Sequence, residues 1–161
     1  MGAETGISGL RVVDLVRAEA TVVRQPVLRP DVPPGLALWP EDDDPRTLHL
    51  GVLASDLVVG VVSLRPEPTP YRPGVAAMRF YAMAVREEWQ RRGAGSVLLR
   101  AAIARGRASA AGVLWANARD SALGFYQRLG FTVVGDGFIN PAVDIPHHVV
   151  LVDLPPRASR E

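Results

Sequence analysis

The sequence predicts an α/β domain: a mixed sheet of six to seven strands with helices on both faces. Two observations predict it. β-Branched apolar runs alternate along the chain with segments whose apolar residues recur at helical spacing. Residues 83–96 (MAVREEWQRRGAGS) then carry a strand through a glycine turn into a helix, the sequence form of a βαβ unit, which is parallel and right-handed as a rule.

Leu10–Leu15 is a first strand, and Arg17–Leu28 a helix with Pro26 as a late kink or stop. Residues 30–46 are rich in proline and acid and predict a long loop. There Asp42, Asp43 and Asp44 are expected to form an exposed solvated turn rather than a metal cluster. Thr47–Leu53 and Leu57–Leu64 flank Ala54-Ser55-Asp56, a hairpin signal. The prolines from Pro66 end the second run, because proline cannot donate to a ladder. Ala76–Val85 is a long strand, and a helix spans about Arg92 to Ala110 with Leu98, Leu99, Ala102 and Ile103 toward the sheet. Val113–Asn117 is a short buried strand. Ser121–Leu129 is a helix with Ala122, Phe125, Tyr126 and Leu129 on one face and Gly130 at its C-terminal cap. Phe131–Val134 and Val149–Leu154 are the final strands, and the tail from residue 155 is expected to fray. With no repeat or linker, residues 1–161 read as a single domain.

Composition bounds the function. At 161 residues and 48% hydrophobic, the chain can bury a real core. A net charge of +1 argues for neither nucleic acid nor an anionic membrane. The lack of cysteine removes disulfides, thiolate metal sites and catalytic thiols. All 18 basic residues are arginine, which reads as codon usage; without lysine there is no Schiff-base or P-loop lysine. Met1 to Ser8 lack the basic-then-apolar order of a signal peptide, and no apolar run approaches a membrane span. A cytoplasmic location is expected.

The chemistry centres on Gln90-Arg91-Arg92-Gly93-Ala94-Gly95-Ser96. Backbone N–H groups at a helix start form an anion site, and glycines allow close approach of a diphosphate. A dinucleotide fingerprint wants a third glycine where Leu98 stands, and a P-loop needs Gly-Lys-Ser/Thr, so both matches fail. Two guanidinium groups beside free amides suit a pyrophosphate; an ordinary glycine-flexible lead into a helix fits the turn equally well. Ligands of βαβ units gather at carboxyl ends of strands and helix N-termini, which places a site near Val85, Gly93 and Asn117.

Gln-Arg-Arg-Gly-Ala-Gly after Met83-Ala84-Val85 resembles the acetyl-CoA signature of the GNAT acetyltransferase superfamily. Phe125-Tyr126-Gln127-Arg128-Leu129-Gly130-Phe131 resembles its second hallmark, an aromatic pair on a helix followed by Leu-Gly-Phe. The two occur in the right order, and the resemblance covers residues 47–154, with 1–46 on the acceptor side. It implies a bulged fourth strand that splays from the fifth. It also implies that the backbone of Met83, Ala84 and Val85 binds pantetheine and polarises the thioester carbonyl. Gln90, Arg91, Arg92, Gly93, Ala94, Gly95 and Ser96 would hold the pyrophosphate and Asn117 the pantetheine arm. Tyr126 would be the general acid that protonates the departing thiolate, although its place in the apolar stripe alone reads as core. Acetyl-CoA is the implied co-substrate, no metal is needed, and a homodimer fits the family habit.

The implied reaction is direct attack of a neutral primary amine, of a small molecule or a peptide, on the thioester. Many family members place a glutamate on the fourth strand as base, but Met78–Met83 holds no carboxylate. Glu67, His147, His148 or water are the candidates, each also readable as a solvated loop or strand-start residue. Arg119 stands where many relatives have asparagine. On the acceptor side, Arg24 and Arg29 could bind a carboxylate under Leu36, Leu38 and Trp39, or simply anchor the loop. Two other functions stay open: a noncatalytic acyl-CoA-binding sensor, and a different phosphate-ligand protein on the same unit.

Overall fold

Alternating apolar residues give strand β1, Leu10–Leu15, and the helical stripe of Ala20, Val23 and Val27 gives helix α1, Arg17–Leu28. These are the first elements of a computed structural model that describes residues 9–156. Residues 1–8, where no signal peptide is expected, and the tail beyond 156, expected to fray, lie outside the described residues. Glu19 helps start α1, accepting the Val16 amide at 2.9 Å, half of a capping box. The long loop contains a short 3-10 turn at Pro40–Asp43.

The remaining elements are β2 (Leu48–Ala54), β3 (Leu57–Pro66), β4 (Ala77–Val85), α2 (Ala94–Ala108), β5 (Val113–Arg119), α3 (Leu123–Arg128), β6 (Thr132–Asn140) and β7 (Ile145–Asp153). The seven strands form a mixed sheet in the order β1-β2-β3-β4-β5-β7-β6. Its parallel pair is β4 with β5, in register from Ala77↔Val113 to Arg79↔Trp115.

The chain groups into two compact units. One runs up to Arg65 and resumes at Phe80–Ala104. Here β1, β2 and β3 form an antiparallel meander, turned at Ser55 with a left-handed φ of 52°. Ala20 and Val23 of α1 pack on Val61 of β3 and Ala84 of β4. Each valine buried there contributes about 1.5–3 kcal/mol. Leu98, Leu99 and Ala102 of α2 are fully buried as predicted, and Ile103 is half-buried.

The other unit comprises Pro66–Arg79 and the chain from Arg105 on. Ala77, Val113, Trp115, Val149 and Leu151 make its core cluster. The predicted helix over Ser121–Leu129 is a 3-10 turn at Asp120–Ala122 followed by α3. Gly130 closes α3 with a φ of 94°, and the Phe131 amide returns to the Tyr126 carbonyl at 3.1 Å, the expected cap. Strands β6 and β7 run longer than the sequence suggests. The predicted strand stops at Val134, but the ladder continues past Gly135, Asp136 and Gly137 through a register shift between Val134 and Phe138, a bulge. Pro146 pairs with Ile139 of β6, while the register of β7 with β5 begins one residue later at Arg119↔His147. A proline is tolerated where its strand needs no amide on that side.

Candidate active site

In the first unit, β4 carries the most unusual backbone of the predicted site. Ala82 lies mid-strand with φ of 50°, a conformation that costs an L-residue roughly 1–2 kcal/mol. This irregular residue stands in the strand for which the resemblance implies a bulge. A left-handed residue there turns the following peptide units out of the ladder's alternation. Met83 and Val85 are half-buried, and Ala84 is buried. A 3-10 turn at Glu87–Trp89 follows. The Gln90 side-chain amide donates to the Val85 carbonyl at 3.0 Å, tying the turn back to the strand.

Arg91 and Gly93 are both left-handed, at φ 61° and 90°. Turns of this kind gather backbone N–H groups into anion-binding concavities. Helix α2 opens at Ala94, so the first-turn amides of Ala94, Gly95 and Ser96 lie at its positive end. Arg91 and Arg92 are exposed. Arg92 lies over Trp89 at 4.9 Å from the ring centroid, a cation–π contact that orients its guanidinium. Trp89 was not singled out in the sequence; an aromatic three residues before an arginine was the available signal.

In the second unit, Asn117 is half-buried on β5, in register with Val149. Tyr126 is 7% exposed. It packs edge-on against Phe125 and Phe131 at centroid distances of 5.3 and 5.9 Å. Burial pushes its phenol up to about 12, and the positive charge of Arg119 partly opposes the shift. Tyr126 thus stays protonated across the physiological range while sitting in the apolar stripe.

The candidate bases separate. Glu67 faces the Arg79 guanidinium at 3.4 Å, while its backbone carbonyl accepts the Trp115 indole N–H at 2.9 Å. His147 is buried, with Nδ1 at 2.8 Å from the Ile145 carbonyl and its ring stacked on Phe138. His148 keeps Nδ1 at 2.7 Å from Asp120 Oδ1 and is partly exposed.

The acceptor-side loop corrects one expectation. Asp42 does not belong to a solvated turn: its side chain and that of Arg24 are each 1% exposed and directly paired. Tyr81 of β4 donates its hydroxyl to Asp42 Oδ1 at 2.5 Å, and Arg17 Nε lies 3.3 Å from Oδ2. Burial pushes the Asp42 carboxyl up, but the hydrogen bonds from Arg24 and Tyr81 and the charges of Arg24 and His49 outweigh it, leaving it below the ordinary range. Arg24 also donates to Ser63 Oγ at 3.1 Å, and Ser63 meets His49 Nδ1 at 2.6 Å. Burial, aided by the charges of Arg24 and Arg17, holds His49 below its usual value, against the pull of Asp42. Asp43 is exposed and pairs with Arg17, and Asp44 pairs with Arg46, so the three aspartates diverge instead of converging on a metal. Arg24 and Arg29 both stack on Trp39 at 4.3 Å, and Arg29 donates to the Leu38 carbonyl at 2.5 Å. Arg24 is thus committed to Asp42 and is not offered to a substrate carboxylate. Its signal was an arginine inside the apolar stripe of α1, between Val23 and Val27.

Comparison with known proteins follows the same lines. The curated uncharacterized N-acetyltransferase YitI of Bacillus subtilis (strain 168) is 29% identical over 129 residues, 80% of this chain and 85% of the relative. Among solved structures, FeeM, an N-acyl amino acid synthase from uncultured soil microbes, superposes with a TM-score of 0.74 at 15% identity, covering 91% of each chain. A GNAT family acetyltransferase from Elizabethkingia anophelis with acetyl-CoA bound superposes at 0.67 and 14% identity, over 91% of this chain and 99% of that one. The model of the acetyltransferase (GNAT) family matches residues 11–131, from β1 through Phe131. On that span the chain belongs to the GNAT family of N-acetyltransferases, and its reaction class is group transfer.

Proposed function

We propose that this transferase moves the acetyl group of acetyl-CoA onto a primary amine of a small molecule or a peptide, by direct attack without a covalent enzyme intermediate. The observation that carries the reading is the left-handed Ala82 within β4, nine residues before Arg91, which with Gly93 forms a left-handed pair at the head of α2. Amides of Met83, Ala84 and Val85, which follow Ala82, bind pantetheine and polarise the thioester carbonyl, which stabilises the oxyanion as it forms. The amides of residues 93–96, with Gln90, Arg91 and Arg92, hold the pyrophosphate. Asn117 contacts the pantetheine arm, and Tyr126 donates to the departing sulfur. A phenol near 12 is a weaker acid than a thiol near ~8.5, so its proton moves only as the carbon–sulfur bond breaks and charge builds on sulfur.

Two measurements test this. Acetyl-CoA in large excess raises the melting temperature, since a ligand at ~100 times its Kd adds about 2.7 kcal/mol. Release of coenzyme A thiol with a panel of primary amines then reports transfer. Tyr126→Phe lowers kcat by about 10²-fold or more, the usual share of a general acid, with little change in the coenzyme KM. No thermal shift with acetyl-CoA overturns the assignment of the turn; an unchanged kcat in Tyr126→Phe overturns that of the tyrosine.

A further inference from the structure

We infer that His148, oriented by Asp120, is the general base that deprotonates the acceptor amine; this rests on the transfer proposed above. Three observations point to it. Asp120 Oδ1 lies 2.7 Å from His148 Nδ1. A carboxylate in that position fixes the tautomer with the proton on Nδ1 and leaves the Nε2 lone pair as acceptor. Nε2 has no hydrogen-bond partner among the described residues, and the side chain is 26% exposed. Space for the ring edge is built in: a Cβ on Gly137 of β6 would lie 2.8 Å from Cε1 and 3.0 Å from Nε2. Gly137 has no left-handed φ to explain it, so its glycine serves the imidazole.

The placement suits the reaction. His148 is in register with Ala118 near the end of β5. Asp120 follows that strand and begins the 3-10 turn that leads into α3 and Tyr126. The pair therefore sits at the carboxyl end of a strand in a βαβ unit, where ligands collect. The flanking positions Ala118 and Gly137 carry no charge, and Asp120 lies within hydrogen-bond distance of the ring.

The step balances as follows. The ammonium of the acceptor gives one proton to Nε2, and the electron pair left on nitrogen forms the bond to the thioester carbon. The carbon–sulfur bond breaks with its electrons on sulfur, which takes a proton from Tyr126. As the amide forms, nitrogen loses a second proton, which restores Tyr126 through solvent. The imidazolium returns its proton to water, so one net proton is released per acetylation.

The test uses the full chain and thiol release with benzylamine, ethanolamine, spermidine and amino-acid amides as probe amines, beside the melting shift with acetyl-CoA. His148→Gln is expected to lower kcat/KM for the amine about 10²-fold, and Asp120→Asn roughly tenfold, the range of general base catalysis, with the acetyl-CoA shift intact. His148→Ala regains rate with added imidazole, and Gly137→Ala loses rate although it keeps both partners. Rates within twofold of the parent in His148→Gln, or no rescue by imidazole in a folded His148→Ala, overturn the assignment and leave the transferase reading standing. A parent that binds acetyl-CoA but acetylates no amine overturns both.

Discussion

Asp42→Asn removes one charge and almost no volume from the buried cluster in the first unit. Arg24 and Asp42 are each 1% exposed, and Arg24 Nε has no partner among the described residues. The asparagine keeps one acceptor for the Tyr81 hydroxyl but turns an amide toward a guanidinium that has no water to fall back on. Breaking a buried pair from one side costs about 3–5 kcal/mol, because the other charge stays buried and uncompensated. Exposed pairs cost about 0–1 kcal/mol. Against a total stability of roughly 5–15 kcal/mol, the larger figure removes a substantial share. Urea unfolding, read by tryptophan fluorescence, is expected to show a midpoint lowered accordingly at constant slope. The melting temperature should fall about 10 °C, at about 2–4 °C per kcal/mol for a chain of this size. The double variant Arg24→Met with Asp42→Leu should recover most of the loss, since an apolar pair needs no compensation. A loss below about 1 kcal/mol for Asp42→Asn, within the range of exposed pairs, would refute the reasoning, for the pair would then behave as a solvated one.

Three further outcomes follow from the same geometry. His49 is held below its ordinary value by burial and by the charges of Arg24 and Arg17, with Asp42 opposing. Its contribution is therefore present above about 6.5 and is lost as pH falls from there through its folded value, so urea midpoints should decline on acidification and His49→Gln should flatten that slope. Replacing Arg91 and Arg92 together with alanine should raise the coenzyme KM about tenfold or more while kcat changes less, because the pyrophosphate they are proposed to hold is remote from the reacting carbon; steady-state kinetics with varied acetyl-CoA reads this directly. Ala82→Gly should leave stability within about 0.5 kcal/mol, since relief of the left-handed strain offsets the freedom glycine adds to the unfolded chain. Ala82→Val should cost clearly more, because a β-branched residue is poorly suited to positive φ.

Local pattern carried much of the architecture. Helix α1 begins and ends at its predicted residues because the stripe, Glu19 and Pro26 act within one turn of the backbone they shape. The hairpin at Ser55 and the cap at Gly130 were likewise local. The sequence hid what depends on distant partners. Asp42 looks like its neighbours Asp43 and Asp44, and only Arg24, eighteen residues earlier, and Tyr81, thirty-nine residues later, distinguish it. The strand predicted to end at Val134 continues past Gly135, which joins a bulge, and Gly137, which makes room for His148. Ala82 carries no signal of its own, since alanine favours neither a bulge nor a left-handed φ; the resemblance of the flanking motifs was the only pointer.

A strained residue persists only where its surroundings over-determine it, and β4 supplies that on both sides of Ala82. On one side, the Tyr81 hydroxyl is anchored to Asp42, whose own position is fixed by the buried Arg24. On the other, the Arg86 amide donates to the Val59 carbonyl at 2.8 Å and its Nε to the Val58 carbonyl at 2.7 Å. Gly60 adds to the arrangement: a Cβ there would press on the Ala84 carbonyl at 3.3 Å and on Leu98 Cδ1 at 3.0 Å, so glycine favours the close approach of the strand. Residues 81–86 are thus pinned at each end, with the left-handed Ala82 between the two anchors. This gives the costly buried ion pair a reason that stability alone does not supply, because an apolar pair at 24 and 42 would pack as well yet offer no acceptor to the Tyr81 hydroxyl. Under the function proposed above, anchors at Tyr81 and Arg86 would let the amides of Met83, Ala84 and Val85 meet a carbonyl without reorganising, the condition under which backbone dipoles stabilise a developing oxyanion most.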